Sequence, residues 1–241
     1  LSTYQRFAAA GHDDKAKLTC ANLTASLLTE TAMAWHLEAV GSGGVRGTGD
    51  QATMDQAERL YDLVLDNFTK EQFDAFRFPH IVKQDWPTTS KVAFAHANLL
   101  FSQKRWERCG PAFDRVVADD PKGDVAAEAA YAAVVCSRNA CHKQHDGKQH
   151  REGRAGQRTA ECAGGCDPKE LTPKQKAMFD AFDRYVCLIE PPKADDDAFE
   201  EHCDVQYARA RTYYEAQHWE EAASAFREVA HSCKQKDVAV Y

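Results

Sequence analysis

One pattern of residues occurs twice in this chain at a constant separation. Every member of the first copy has a counterpart 113 residues later. The first copy is Phe94–Phe101 with Trp106, Phe113 and Val116, and the second is Tyr207–Tyr214 with Trp219, Phe226 and Val229. Self-similarity at a fixed spacing is the sequence sign of a repeat architecture. Because stacked repeats form extended surfaces, the pattern favours a binding surface over a catalytic pocket.

Two further copies can be identified from their second halves. Ala181–Val186 nearly repeats Ala112–Val117. Ala57, Tyr61 and Val64 match Cys109, Phe113 and Val116 at a constant separation of 52. Their first halves, Leu23–Val40 and Val125–Arg138, are rich in Ala and Leu at helical spacing. Pro191 and Pro192 would end the third copy, and Asp195–Asp197 would precede a helix that begins near Phe199. The chain is therefore predicted to hold four helical hairpins, at about 22–69, 90–122, 124–192 and 199–235, and a further helix from 237.

The repeated units resemble tetratricopeptide repeats, in which two antiparallel helices form each unit. The resemblance is carried by small residues where helices meet, large apolar residues beside them and a proline that ends the unit. In the second unit these are Ala97, Cys109, Leu100, Trp106, Phe113 and Pro121, and in the fourth they are Ala210, Ala222, Tyr213, Trp219 and Phe226, with Lys234 in place of the proline. The implied fold is all-α: antiparallel helical hairpins stacked into a right-handed solenoid, as a single domain over 1–241.

The resemblance also implies a concave groove lined by the first helix of each hairpin. The residues that would face it in the two clear units are Lys91, Phe94, Asn98, Phe101, Asp204, Tyr207, Arg211 and Tyr214. Aromatic side chains there could bury apolar groups of a protein partner, and Asn or Arg could bind its backbone or carboxylates. The alternative is that the aromatic side chains pack against the preceding repeat and the polar groups are only solvated.

Two hairpins carry insertions. The first, Gly41–Gly47, is glycine-rich and is expected to be a flexible loop. The second, about Asn139–Thr172, contains a Cys/His-rich tract that includes Cys141–His150, Cys162 and Cys166. Such density raises the possibility of a zinc site, although the spacing of the cysteines is poor for one. Disulfides that tie the loop to its hairpin, or a mobile basic loop with free thiols, are the other readings.

Nine cysteines favour an oxidising compartment with disulfides. Cys203 and Cys233 would open and close one hairpin, where antiparallel helices bring the two residues within bridging distance; the alternative is two isolated thiols. Cys109 matches Ala222 in the other copy and is expected to be a small core residue. The other candidates for disulfides are Cys136, Cys141, Cys162, Cys166 and Cys187.

Composition and motifs exclude several classes of function. A net charge of −7 argues against a nucleic-acid partner, and no apolar run is long enough to span a membrane. No hydrolase, metalloprotease, phosphate-binding or dinucleotide motif is present, so no catalytic residue or cofactor is predicted. A Cys/His pair that meets only in space is a minor alternative. Neither terminus resembles a natural end, so the chain is expected to be part of a longer protein.

We therefore predict a non-catalytic scaffold that binds a protein through its groove. The cysteines favour an extracytoplasmic location, periplasmic or outer-membrane associated. Proteins that resemble this chain assist secretion, pilus, motility or outer-membrane assembly. The alternatives are a zinc-binding or thiol-redox module centred on Cys136–Cys166, and a regulatory domain of a larger enzyme.

Overall fold

The computed structural model describes residues 1–145 and 168–233. Of the described residues, 74% are helical, and they form ten α-helices and one two-stranded ribbon, so the prediction of a helical fold is confirmed. The chain divides into two compact units, Leu1–Val125 and Ala126–Tyr241. A single tetratricopeptide-like solenoid over 1–241 stays a prediction.

The first unit contains six helices. They are α1 (Ser2–Ala9), α2 (Asp14–Val40), α3 (Gln51–Asn67), α4 (Lys70–Ala75), α5 (Thr89–Ser102) and α6 (Trp106–Asp119), with a 3-10 turn at Lys83–Asp85. Helices α2 and α3 pack as one pair and α5 and α6 as a second, and α3 and α5 join the pairs. Asp13, Asp50 and Thr88 begin α2, α3 and α5, each accepting a hydrogen bond from a backbone N–H of the first turn.

The segment between α2 and α3 forms an antiparallel ribbon, which corrects the expectation of a flexible loop at Gly41–Gly47. Strand β1 (Gly41–Ser42) pairs with β2 (Val45–Arg46), with Gly41 opposite Arg46 and Ser42 opposite Val45. Gly43 and Gly44 form the two-residue turn with φ of 57° and 81°. Left-handed backbone at both positions is the geometry that suits a tight hairpin, and glycine adopts it without steric cost.

An aromatic layer after α3 completes the core of the first unit. Phe73, Phe76 and Phe78 are buried beside Tyr61 and Val64 of α3. Successive rings lie in contact, with centroids 5.4 Å apart for Phe73 and Phe76 and 6.1 Å apart for Phe73 and Phe78. Residues 70–88 lie between the predicted hairpins, and the repeat pattern gave no reason to place core residues there.

The described residues of the second unit form four helices. They are α7 (Ala126–His145), α8 (Pro173–Leu188), α9 (Ala198–Glu215) and α10 (Trp219–Ser232), and each packs against the next along the chain. Residues 146–167, between α7 and α8, lie outside the described residues. Helix α7 continues to His145, past the predicted start of the insertion at Asn139. Thr172 and Gln175 form a capping box that fixes the start of α8 at Pro173.

The two clear repeats share one hairpin geometry. Lys104 and Gln217, 113 residues apart, connect their helices with φ of 55° and 62°. The next N–H in each turn, from Arg105 or His218, donates to a carbonyl at 3.0 Å in both copies. The small residues Ala97 and Ala210 are fully buried. The sequence repeat therefore corresponds to a repeated helix–turn–helix with the same turn in both copies.

Candidate functional site

The aromatic residues predicted to line a groove pack within their own hairpins. Phe94 lies 5.6 Å from Phe113 between ring centroids, and the equivalent Tyr207 lies 5.9 Å from Phe226. Phe101 and Tyr214 contact the tryptophan that begins the second helix, at 5.4 Å from Trp106 and 5.2 Å from Trp219. Of the four, Tyr214 keeps a large accessible surface, with 56% of it exposed. Their first role is to hold each hairpin together.

The polar members of the same set lie on the surface. Asn98, Asp204 and Arg211 are exposed, and Lys91 is half-buried. Lys91 Nζ donates to the backbone carbonyl of Gln84 at 3.0 Å, and Arg211 Nε lies 2.8 Å from a carboxylate oxygen of Glu215. Asn98 and Asp204 are therefore the more available for a partner. Binding through these eight residues stays a prediction.

A row of exposed apolar side chains lies on one side of α2. We call it the outer face of α2, and it consists of Leu23, Leu27, Met33, Ala34 and Leu37, all exposed. Leu23 and Leu27 are each 68% exposed and Leu37 is 55% exposed. Most of these residues are three, four or seven positions apart, so they form a stripe along the helix.

The opposite side of α2 is the side that packs into the first unit. Ala21, Ala25, Ala32 and Ala39 are buried there. A helix with apolar residues on two opposite sides is typical of a helix that is covered on both. Contiguous exposed apolar side chains are a feature of interaction surfaces. The sequence signal lies in Leu23–Val40, where alanine and leucine recur at helical spacing, but this pattern alone does not show which side of the helix stays exposed.

A cluster of ion pairs joins the two hairpins of the first unit. The Glu58 side chain in α3 is 9% exposed, and its two oxygens accept hydrogen bonds from Arg105 and Arg108. Arg105 also pairs with Asp55 at 3.1 Å. A buried carboxylate is stable only when its charge is paired in this way. Sequence reasoning did not identify this cluster, because its members come from two segments that lie far apart in the chain.

Histidines and a tyrosine extend this cluster into the core. His36 Nδ1 lies 3.1 Å from the Tyr61 hydroxyl, and the Tyr61 ring is 6.0 Å from that of His96. His96 Nε2 lies 3.6 Å from Asp62 Oδ1. Burial lowers the pKa of both histidines and raises the pKa of Tyr61 and of Asp62. Both imidazoles are therefore neutral near pH 7.

The predicted bridge between Cys203 and Cys233 is confirmed. Their Cα atoms are 5.9 Å apart, and both residues are buried beside Phe199 and Val229. The bridge joins the second turn of α9 to the end of α10, which antiparallel packing brings together. Cys109 and Cys136 each take part in a disulfide as well. Cys109 is buried as expected, but it is more than a small core residue.

Two candidate cysteines are free thiols, which corrects that part of the prediction. Cys141 is buried near the end of α7, and Cys187 is exposed near the end of α8. Cys141 lies close enough to Lys174, at the start of α8, for the lysine charge to affect the pKa of its thiol. Cys187, at the other end of α8, therefore lies away from it. Cys162, Cys166 and most of the predicted zinc or redox tract lie outside the described residues.

No family model, curated protein or solved structure matches this chain. Within residues 1–145 and 168–233, no helix combines the length and hydrophobicity that crossing a membrane requires. Proposals about function therefore depend on the surfaces and clusters described above.

Proposed function

We propose that this protein is a non-catalytic, tetratricopeptide-like scaffold that binds a protein partner. The observation that carries the proposal is the outer face of α2, where three leucines are each more than half exposed on a 27-residue helix. Such a helix is about 40 Å long. The row from Leu23 to Leu37 covers roughly 20 Å of that length and offers a continuous apolar strip, which a partner can bury with no covalent step.

The chemistry of this face favours an amphipathic helix as the bound segment. Helix–helix packing needs apolar side chains at spacings of three and four, which the outer face of α2 presents. Glu30 and Glu38 lie in and beside the leucine row, and Glu38 is exposed. Lysine or arginine residues flanking the partner's apolar stripe would pair with these carboxylates and fix its register.

The predicted groove is the second surface that we propose for binding. Of the residues predicted for it, Asn98 in the first unit and Asp204 and Tyr214 in the second have exposed side chains. Groove and helix face could bind different segments of one assembly. The disulfides support an extracytoplasmic location, periplasmic or outer-membrane associated, where assembly of an envelope complex is the role we propose. A regulatory domain of a larger enzyme, and a metal or redox module at Cys136–Cys166, stay alternatives.

The experiment compares capture of partners by matched variants of the full chain. Leu23→Glu with Leu27→Glu places two charges in the apolar row, and Val82→Glu places one at an exposed apolar residue outside α2. We expect a partner that is recovered with the wild type and with Val82→Glu to be lost with the double variant, while circular dichroism is unchanged. Affinity capture with mass spectrometry measures this.

A further variant separates the two surfaces. Tyr207→Ala with Arg211→Glu alters the predicted groove and leaves α2 intact. If this variant loses the partner and the Leu23/Leu27 variant keeps it, the binding site is the groove and not the outer face of α2. The scaffold proposal is wrong if both double variants fold and recover the same partners as the wild type.

A further inference from the structure

We propose that Glu58, Asp62 and His96 form a binding site for one divalent transition-metal ion, with Zn²⁺ as the best fit. Glu58 and Asp62 are one turn apart on α3, and His96 lies on α5. One carboxylate oxygen from each acid and one ring nitrogen of His96 all lie within 4.8 Å of one another. Two carboxylates and one imidazole are a ligand set that Zn²⁺ accepts.

The histidine nitrogen that faces the acids has no hydrogen-bond partner. His96 Nε2 is buried from solvent and accepts or donates no hydrogen bond. Its distance of 3.6 Å from Asp62 Oδ1 exceeds that of a direct N–H···O hydrogen bond, about 2.7–3.2 Å. Two ligands of a tetrahedral zinc ion, each about 2.0–2.2 Å from the metal, lie roughly 3.4 Å apart. The 3.6 Å between His96 Nε2 and Asp62 Oδ1 therefore fits two ligands of one metal ion better than it fits a direct hydrogen bond.

Charge around the cluster also favours a cation. Asp55, Glu58, Asp62 and Asp66 lie along one side of α3, and among the described residues Arg105 and Arg108 form ion pairs with members of this row. Four carboxylates against two guanidinium groups leave an excess of two negative charges, which one divalent ion would balance. The arginines hold the Glu58 carboxylate in position, as hydrogen-bond donors beside metal ligands commonly do.

The cluster has one accessible side. The Asp62 side chain is 48% exposed, whereas those of Glu58 and His96 are 9% and 12% exposed. An ion can therefore enter past Asp62 and keep water as its fourth ligand. Bound there, it would join α3 of the first hairpin to α5 of the second.

The test uses the full chain, freed of metal by chelation and titrated with Zn²⁺ in a calorimeter. Asp62→Asn removes a ligand at a half-exposed position, and Asp66→Asn is the matched control on the next turn of the same helix. We expect the wild type and Asp66→Asn to bind one ion that raises the melting temperature. Asp62→Asn should lose at least tenfold in affinity at that site.

Cobalt(II) distinguishes this site from cysteine ligands elsewhere in the chain. Ligation by nitrogen and oxygen gives weak visible bands without the intense near-ultraviolet band of cobalt–thiolate bonds. We expect such bands in the wild type and their loss in both Asp62→Asn and His96→Gln. Equal zinc affinity and equal stoichiometry in the wild type and folded Asp62→Asn would overturn the proposal, as would uptake accompanied only by thiolate bands.

Discussion

His36, His96 and His202 are three histidines whose pKa is lowered by burial. His202, in α9, is 2% exposed and lies 2.8 Å from the Gln206 side chain, with its ring 5.6 Å from that of Tyr185. No acidic side chain contributes to its pKa shift, since desolvation is the cause. Such a histidine resists protonation in the folded state.

The residue-scale prediction concerns the pH dependence of stability. As pH falls through about 6.5, the unfolded histidine takes up a proton that folded His202 resists. The unfolded state then binds more protons, so the free energy of unfolding decreases, by at most about 1.4 kcal/mol per pH unit for one group. We expect His202→Gln to lose less stability than the wild type between pH 7 and 5.5. Urea unfolding at several pH values measures it, and equal slopes would contradict it.

Within a helix pair, small residues decide how closely the two helices approach. Ala97 on α5 and Ala210 on α9 are both fully buried, and each lies in a hairpin with the same turn and the same aromatic contacts. A larger side chain at either position has no space without displacing the partner helix. Because the two hairpins are equivalent, Ala97 and Ala210 are a matched pair of positions for testing helix packing by substitution.

The element-scale prediction is that Ala97→Leu and Ala210→Leu destabilise the chain by similar amounts. Overpacking at a full site costs about 1–3 kcal/mol. Asn98→Leu introduces the same side chain one residue away at an exposed position, where the change should stay within about 0.5 kcal/mol. Chemical denaturation of the three variants measures the effect. A tolerated Ala210→Leu beside a destabilising Ala97→Leu would show that the two hairpins are not packed alike.

At the scale of the whole molecule, the cysteines are divided between disulfides and free thiols. Among the cysteines that the structure describes, Cys109, Cys136, Cys203 and Cys233 are disulfide-bonded, and Cys20, Cys141 and Cys187 are free. The free thiols differ in accessibility: Cys187 is exposed, Cys20 is half-buried and Cys141 is buried. Burial also raises the pKa of Cys141, which reduces the fraction of reactive thiolate.

The whole-molecule prediction is an order of thiol labelling. With an alkylating reagent at neutral pH, Cys187 should react first, Cys20 more slowly and Cys141 last. The four bonded cysteines should react only after reduction and unfolding. Peptide mass spectrometry of the folded chain over time measures the order. Rapid labelling of Cys203 or Cys233 without a reductant would show that the protein is not oxidised in its native form.

The repeat pattern was enough to predict the helical class and the core of two hairpins. Small residues at Ala97 and Ala210, with Phe113 and Phe226 beside them, encode helix packing locally, and the Cys203–Cys233 bridge followed because the ends of antiparallel helices lie together. The ribbon at Gly41–Arg46 was not predicted, because glycine-rich sequence is compatible with both a loop and a tight turn. The aromatic layer at Phe73–Phe78 has no place in the repeat pattern.

The sequence by itself therefore determined that the chain forms paired helices, since helical periodicity and turn residues act over a few positions. Only the tertiary structure decided which leucines of α2 are left uncovered, and which charged groups meet at Glu58, Asp62 and His96. Both depend on how separate segments pack, because burial and charge pairing arise between residues far apart in the chain. The local sequence pattern does not specify these long-range contacts, and the candidate sites are formed by them.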